Sequence, residues 1–206
     1  MWDDANVVVW VGTDCKSLAP TWETLANDFV LEPSIVVAKV DAEAENAKSV
    51  TKEQGISGFP TIKFFPKGSK EAEDYQGPRS ETAFVAFLND KTGTHRLNGG
   101  KLDTKAGTIP GLDQLVRKFV STSSFSDLVG EVQKAVKGLQ DKYALYYVKV
   151  AEKLSQNQEY AIKEFERLNK IIRRGGSAPE KVDDLVSRSN ILRQFLGAKK
   201  EEKDEL

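Results

Sequence analysis

Cys15 is the only cysteine of this 206-residue chain, and it stands where the apolar run Val7 to Val11 gives way to the helix-like stretch LAPTWETLANDFV. A thiol just inside a helix N-terminus is suited to nucleophilic chemistry, because unpaired amides and the helix dipole stabilise its thiolate. Disulfide exchange passes through a mixed disulfide that a second thiol resolves. Three residues upstream, where a C-x-x-C pair would have its first member, the chain has Gly12. Net oxidation or reduction by this chain alone is therefore not expected. Two downstream residues give Cys15 a context: Pro60, in GFPTIKFF, opens a strand where a cis bond could present backbone to a peptide, and Lys39 sits inside an otherwise apolar strand. With one cysteine and one histidine, His95, there is no zinc cluster, and no nucleotide or flavin pattern occurs, so no metal and no cofactor are expected.

The elements that must position these residues alternate in the first half. Val7 to Val11 reads as a strand; Leu18, Trp22, Leu25, Ala26 and Phe29 recur at helical spacing, with Pro20 near the helix start. SIVVAKVDA reads as a strand ending at Asp41, ENAKSVTKEQG as a short helix stopped by Gly55, and Thr61 to Phe65 as a strand whose return reaches Tyr75. SETAFVAFLNDKTG is a helix with Ser80 as N-cap and Phe84, Phe87 and Leu88 inward. This is an α/β pattern with a mixed sheet. Residues 93–111, with five glycines, a proline and no apolar period, read as a linker in which His95 is simply a linker residue. Helices follow at 112–121, 127–137, 140–155, 158–173 and 179–196. The last is expected to start with a capping box, Ser177-Ala178-Pro179-Glu180, and to bury Val182, Leu185, Val186, Ser189, Leu192 and Leu196; the one before it, Ala161, Phe165, Leu168 and Ile172. Gly175, Gly176 and Gly197 mark helix ends. Tyr143, Tyr146 and Tyr147 are assigned to the core in preference to a partner patch.

A formal net charge of -1 gives no reason to expect nucleic acid as a partner, and no apolar run approaches the ~20 residues of a membrane span, so no membrane insertion is expected. The ends point to different compartments. Lys203-Asp204-Glu205-Leu206 is a K-D-E-L retention signal, read by a receptor of the secretory pathway, whereas MWDDANVVVW lacks the features of a signal peptide. Met1 is accordingly expected not to be the natural start.

Over roughly residues 5–92 the chain resembles the thioredoxin-like catalytic domains of protein disulfide isomerases. The resemblance is carried by CKSLAPTWE, AKVDAE, GISGFPT, IKFFPKGS and YQGPRS, and it places Phe59-Pro60 at the family's cis-proline site. Residues 112–206 are similar to the all-helical D domain of plant, fungal and slime-mould isomerases and of a non-redox lumenal escort chaperone of animals. The implied fold is an α/β thioredoxin-like domain, N-terminally truncated, at residues 1–92, then the linker 93–111, a separate all-α helical bundle at 112–197 and a charged tail at 198–206. The resemblance puts Cys15 in the resolving-cysteine position and the absent nucleophile at Gly12. Arg79 then matches a residue that lowers the resolving thiol's pKa, Lys39 one that pairs with a buried glutamate lacking here, and Phe59 and Pro60 peptide-contact residues.

The resemblance implies an endoplasmic-reticulum folding factor acting on unfolded or disulfide-containing client proteins. Its thiol–disulfide exchange is expected to be impaired, leaving as alternatives a non-redox chaperone and an unstable product without function. A homodimer through the D domain stays open. Truncation is expected to expose an open edge at Val7 to Val11, while the helical domain folds regardless.

Overall fold

Runs of valine, isoleucine, threonine and phenylalanine build the sheet of the first unit. In the computed structural model, which describes residues 5–12, 17–122 and 124–197, these are β1 (Asn6–Gly12), β2 (Ile35–Asp41), β3 (Thr61–Phe65) and the two-residue β4 (Glu73–Asp74), ordered β2-β1-β3-β4. β1 pairs parallel with β2, from Asn6 opposite Ile35 to Gly12 opposite Asp41, and antiparallel with β3, from Val7 opposite Phe65 to Val11 opposite Thr61. The expected open edge at Val7 to Val11 is thus corrected: among the described residues β1 is internal, and β2 and β4 are the edges. The reason is topological. A parallel partner needs a crossover, supplied by α1 (Ala19–Asp28), and β3 then returns on the other side of β1.

Alternation along β1 divides the core. Val8, Ile62 and Phe64 pack with Leu18, Trp22, Leu25 and Phe29 around α1, and with Phe84, Val85 and Leu88 of α3 (Glu81–Thr92). Trp22 Nε1 fastens α1 to the sheet by donating to the Ala38 carbonyl at 2.9 Å. On the opposite face, Val7, Val9 and Val11 pack with Ala42, Ile56 and Phe65. That face, together with the short helical segment formed by a 3-10 turn at Glu45–Ala47 and α2 (Lys48–Glu53), lines an open cavity of about 880 Å³. Ser80 caps α3 as its sequence predicts, its Oγ accepting from the Ala83 amide at 3.3 Å.

Contacts divide the chain between Asp103 and Thr104, inside the expected linker, and both halves of that segment are tied down. In the first unit Arg96 is only 3% exposed; its Nε donates to Glu32 Oε1 at 2.7 Å and its Nη1 to the Gly100 carbonyl at 2.8 Å. The Asn89 side chain holds the Arg96 backbone from both sides, and His95 Nδ1 lies 3.2 Å from Asp103 Oδ2. In the second unit Ala106 is buried and its carbonyl accepts from Asn190 Nδ2 at 3.1 Å.

The second unit is built from α4 (Pro110–Thr122), α5 (Phe125–Ala135), α6 (Ala144–Gln156), α7 (Tyr160–Arg174) and α8 (Pro179–Leu196). Apolar spacing located each of them, and Gly175 and Gly197, both at positive φ, end α7 and α8. Tyr143, Tyr146 and Tyr147 are buried with Val116, Leu128, Val132, Val150 and Leu168. Two details of α8 differ from expectation. Its N-cap is Ala178, so Ser177 stands one residue too early and no side-chain cap forms. Its buried residues are Leu185, Ser187, Ser189, Asn190, Ile191, Leu192 and Phe195, a wide arc that includes polar residues, while Val182, Val186 and Leu196 are only partly covered. A helix packed by α4, α6 and α7 has more than one buried stripe.

Candidate functional site

Three of the singled-out residues meet at the loop before β3. The Phe59–Pro60 peptide bond is cis, Pro60 leads directly into Thr61 of β3, and Thr61 Oγ1 donates to the Gly58 carbonyl at 2.7 Å. Arg79, just before α3, donates from Nη2 to the Pro60 carbonyl at 3.3 Å. Phe59 is 51% exposed, an apolar residue presented to solvent on the same loop.

What holds Arg79 in place had no assigned role in the sequence. Tyr75 OH donates to the Pro78 carbonyl at 2.8 Å, and its ring packs at 5.0 Å from Phe84 and 4.9 Å from Phe87. Gly77 makes this possible, because a Cβ there would lie 2.5 Å from the Tyr75 hydroxyl oxygen. The stretch YQGPRS is therefore a brace: a tyrosine folded back over a glycine fixes the backbone that carries Arg79. Partial burial of the Tyr75 hydroxyl raises its pKa.

The remaining singled-out residues are not gathered here. Lys39 is exposed on β2, in register with Trp10 of β1, which in turn faces Ile62 of β3. Gly12, the position matched to the nucleophile, is the last residue of β1, opposite Asp41. Cys15 and the retention residues Lys203, Asp204, Glu205 and Leu206 lie outside the described residues. Among the described residues, no group of three or more His, Cys, Asp or Glu could hold a metal ion, and no helix is long and apolar enough to cross a membrane.

A Thioredoxin family model matches residues 7–90, and a model described as Endoplasmic reticulum protein ERp29, C-terminal domain, matches residues 107–195. Protein disulfide-isomerase tigA of Aspergillus niger is 66% identical over 197 residues, covering 96% of this chain and 54% of that protein. Along nearly its whole length the chain is similar to protein disulfide-isomerases. Protein disulfide-isomerase erp38 of Neurospora crassa is 52% identical over 213 residues, covering 98% of this chain and 58% of its own length. The chain spans about half the length of the curated relatives it matches. Its architecture is a thioredoxin-like α/β unit followed by a helical unit. The solved first thioredoxin domain of mouse Protein disulfide-isomerase A4 is 33% identical, covers 43% of this chain and 64% of its own, and aligns with a TM-score of 0.37.

Proposed function

We propose that this chain is a folding factor of the endoplasmic-reticulum lumen that binds unfolded or disulfide-containing client proteins, with its thiol–disulfide exchange impaired. The observation that carries the reading is the exposed ring of Phe59 on the Arg79-braced loop, in a chain with a single cysteine. An apolar ring and adjacent backbone suffice to hold an extended segment, whereas exchange needs a nucleophilic thiol and a second one to resolve it. In this reading Phe59 and Pro60 contact clients. Cys15 keeps the resolving position, and Arg79 and Lys39 are the remnants of the redox machinery. The compartment is supported by the ERp29 match and by the K-D-E-L end, which a retention receptor would read. The alternative is a non-redox escort that uses no thiol at all.

Refolding of a scrambled-disulfide substrate and suppression of aggregation of a reduced, unfolded protein separate the activities. The expected outcome is little or no isomerase rate alongside measurable suppression that Phe59→Ser weakens. An isomerase rate near that of a two-cysteine thioredoxin-like domain would overturn the proposal. Alkylation of Cys15 then decides between the readings: unchanged suppression favours the escort, whereas suppression lost on alkylation, with mixed disulfides to the client trapped only in the unalkylated chain, favours surviving thiol chemistry.

A further inference from the structure

Among the described residues β2 is an edge of its sheet, and its main-chain groups divide between two directions. At one end of the strand Asn6 N–H donates to the Ser34 carbonyl at 2.7 Å, and at the other Ala42 N–H donates to the Gly12 carbonyl at 3.4 Å. These bonds set the phase of the ladder. Even-numbered residues of β2 turn their N–H and C=O groups to β1, and Ile35, Val37, Lys39 and Asp41 turn theirs away from it. Two of the outward groups are engaged by the turns that flank the strand: Ile35 N–H donates to the Glu32 carbonyl at 3.0 Å, and the Asp41 carbonyl accepts from Ala44 N–H at 3.3 Å. Ile35 and Asp41 lie at equal distances along the strand on either side of Ala38.

We propose that two copies of this chain join through β2, antiparallel, with Ala38 on the two-fold axis. In this register all seven residues of the strand pair. Val37 of each copy exchanges N–H···O=C bonds with Lys39 of the other, and Asp41 N–H of one meets the Ile35 carbonyl of the other. The two groups that the flanking turns engage stand opposite each other, so the pairing asks nothing of them. On the face shared with Val7, Val9 and Val11, Val36 of each copy meets Val40 of the other, beside the Ala38 pair. Val36, 41% exposed, gains cover there.

The neighbouring registers that keep the faces matched are worse. With the axis on Val37, the Lys39 carbonyl would face an Ile35 N–H already given to Glu32; with the axis on Lys39, two like-charged side chains would stand directly opposite. An edge that answers its own copy in one register is what a two-fold dimer requires, whereas an unrelated extended peptide would have no reason to prefer that register. Pairing also covers a strand edge that is otherwise a site for uncontrolled association.

Sedimentation equilibrium of the full chain over about 10 μM to about 1 mM should show a mass rising from one copy toward two. Salt of about 0.15 M screens the Lys39 side chains, which stand diagonally about 7–8 Å apart across the axis. Lys39→Pro removes an N–H that the β1 ladder does not use, and should hold the mass at one copy with far-UV ellipticity unchanged. Disulfide trapping under oxidised glutathione, in a Cys15→Ser background, reads the register and serves if Lys39→Pro fails to fold. Ala38→Cys occupies a non-hydrogen-bonded pair with Cα atoms about 4.5 Å apart, and should cross-link to its copy. Val36→Cys alone, about 14 Å from its copy, should not, while a mixture of Val36→Cys and Val40→Cys chains should. A single-copy mass throughout the range, association that survives in folded Lys39→Pro, or trapping as efficient at Val36→Cys alone as at Ala38→Cys overturns the proposal.

Discussion

Replacing Tyr147 with phenylalanine removes one oxygen from the interior of the helical unit and strands two partners. The side chain is fully buried; its hydroxyl accepts the Ile109 N–H at 3.0 Å and donates to Asp113 Oδ1. A buried polar group left without its partner costs about 1–3 kcal/mol. Asp113 retains the attraction of Arg117, so its share lies at the low end and the total loss is expected to be about 2–4 kcal/mol. The ring itself, 5.9 Å from that of Phe195, keeps its packing. The chain offers separate probes for its two units. All three tryptophans, Trp2, Trp10 and Trp22, belong to the first, whereas far-UV ellipticity is dominated by the long helices of the second. In urea, the ellipticity transition should move down by about 1–2 M, from a slope of about 1–3 kcal/mol per M, with the fluorescence transition in place. The pH dependence adds a sign. Burial raises the Asp113 carboxyl above its ordinary pKa against the opposing hydrogen bond from Tyr147. Its contribution is therefore present at acid pH and lost as pH rises through the raised value. Tyr147→Phe removes a group that favours the charged form, so the loss should be larger at neutral than at acid pH. A loss below about 1 kcal/mol, or one equal at both pH values, would refute this account.

Two further changes test other parts of the frame. Arg96→Met leaves Glu32 and the Gly100 carbonyl without their buried guanidinium; with Glu32 partly open to water, the expected loss is about 2–4 kcal/mol, read from the tryptophan transition in urea. Gly107→Ala places a Cβ 2.5 Å from Ser187 Cβ at a backbone φ of +77°. It should destabilise the helical unit by about 1–3 kcal/mol, seen as a lower ellipticity midpoint with unchanged tryptophan signal.

Much of the site's framework was legible because its signals are local. GFPTIKFF announced the loop and β3, Ser80 announced the start of α3, and Arg79 and Phe59-Pro60 were singled out through the family resemblance. Their meeting was not legible, since it depends on Tyr75 folding over Gly77 to aim Arg79 at the Pro60 carbonyl. Arg96 was hidden for the same reason: nothing in its neighbourhood signals burial, and its partner Glu32 lies 64 residues away.

By itself the sequence determined the succession of strands and helices, the glycines at which helices end, and the limit that one cysteine sets on disulfide chemistry. Periodicity and backbone preference act over a few residues, so a single chain carries them openly. Tertiary structure alone decided that β1 lies at the centre of its sheet, that α8 buries serine and asparagine along with leucine, and that residues 93–103 are anchored through a buried arginine. Each of these depends on which distant surface meets the element. Strand pairing and polar satisfaction are contracts between partners far apart in the chain, and only the assembled fold names the partner.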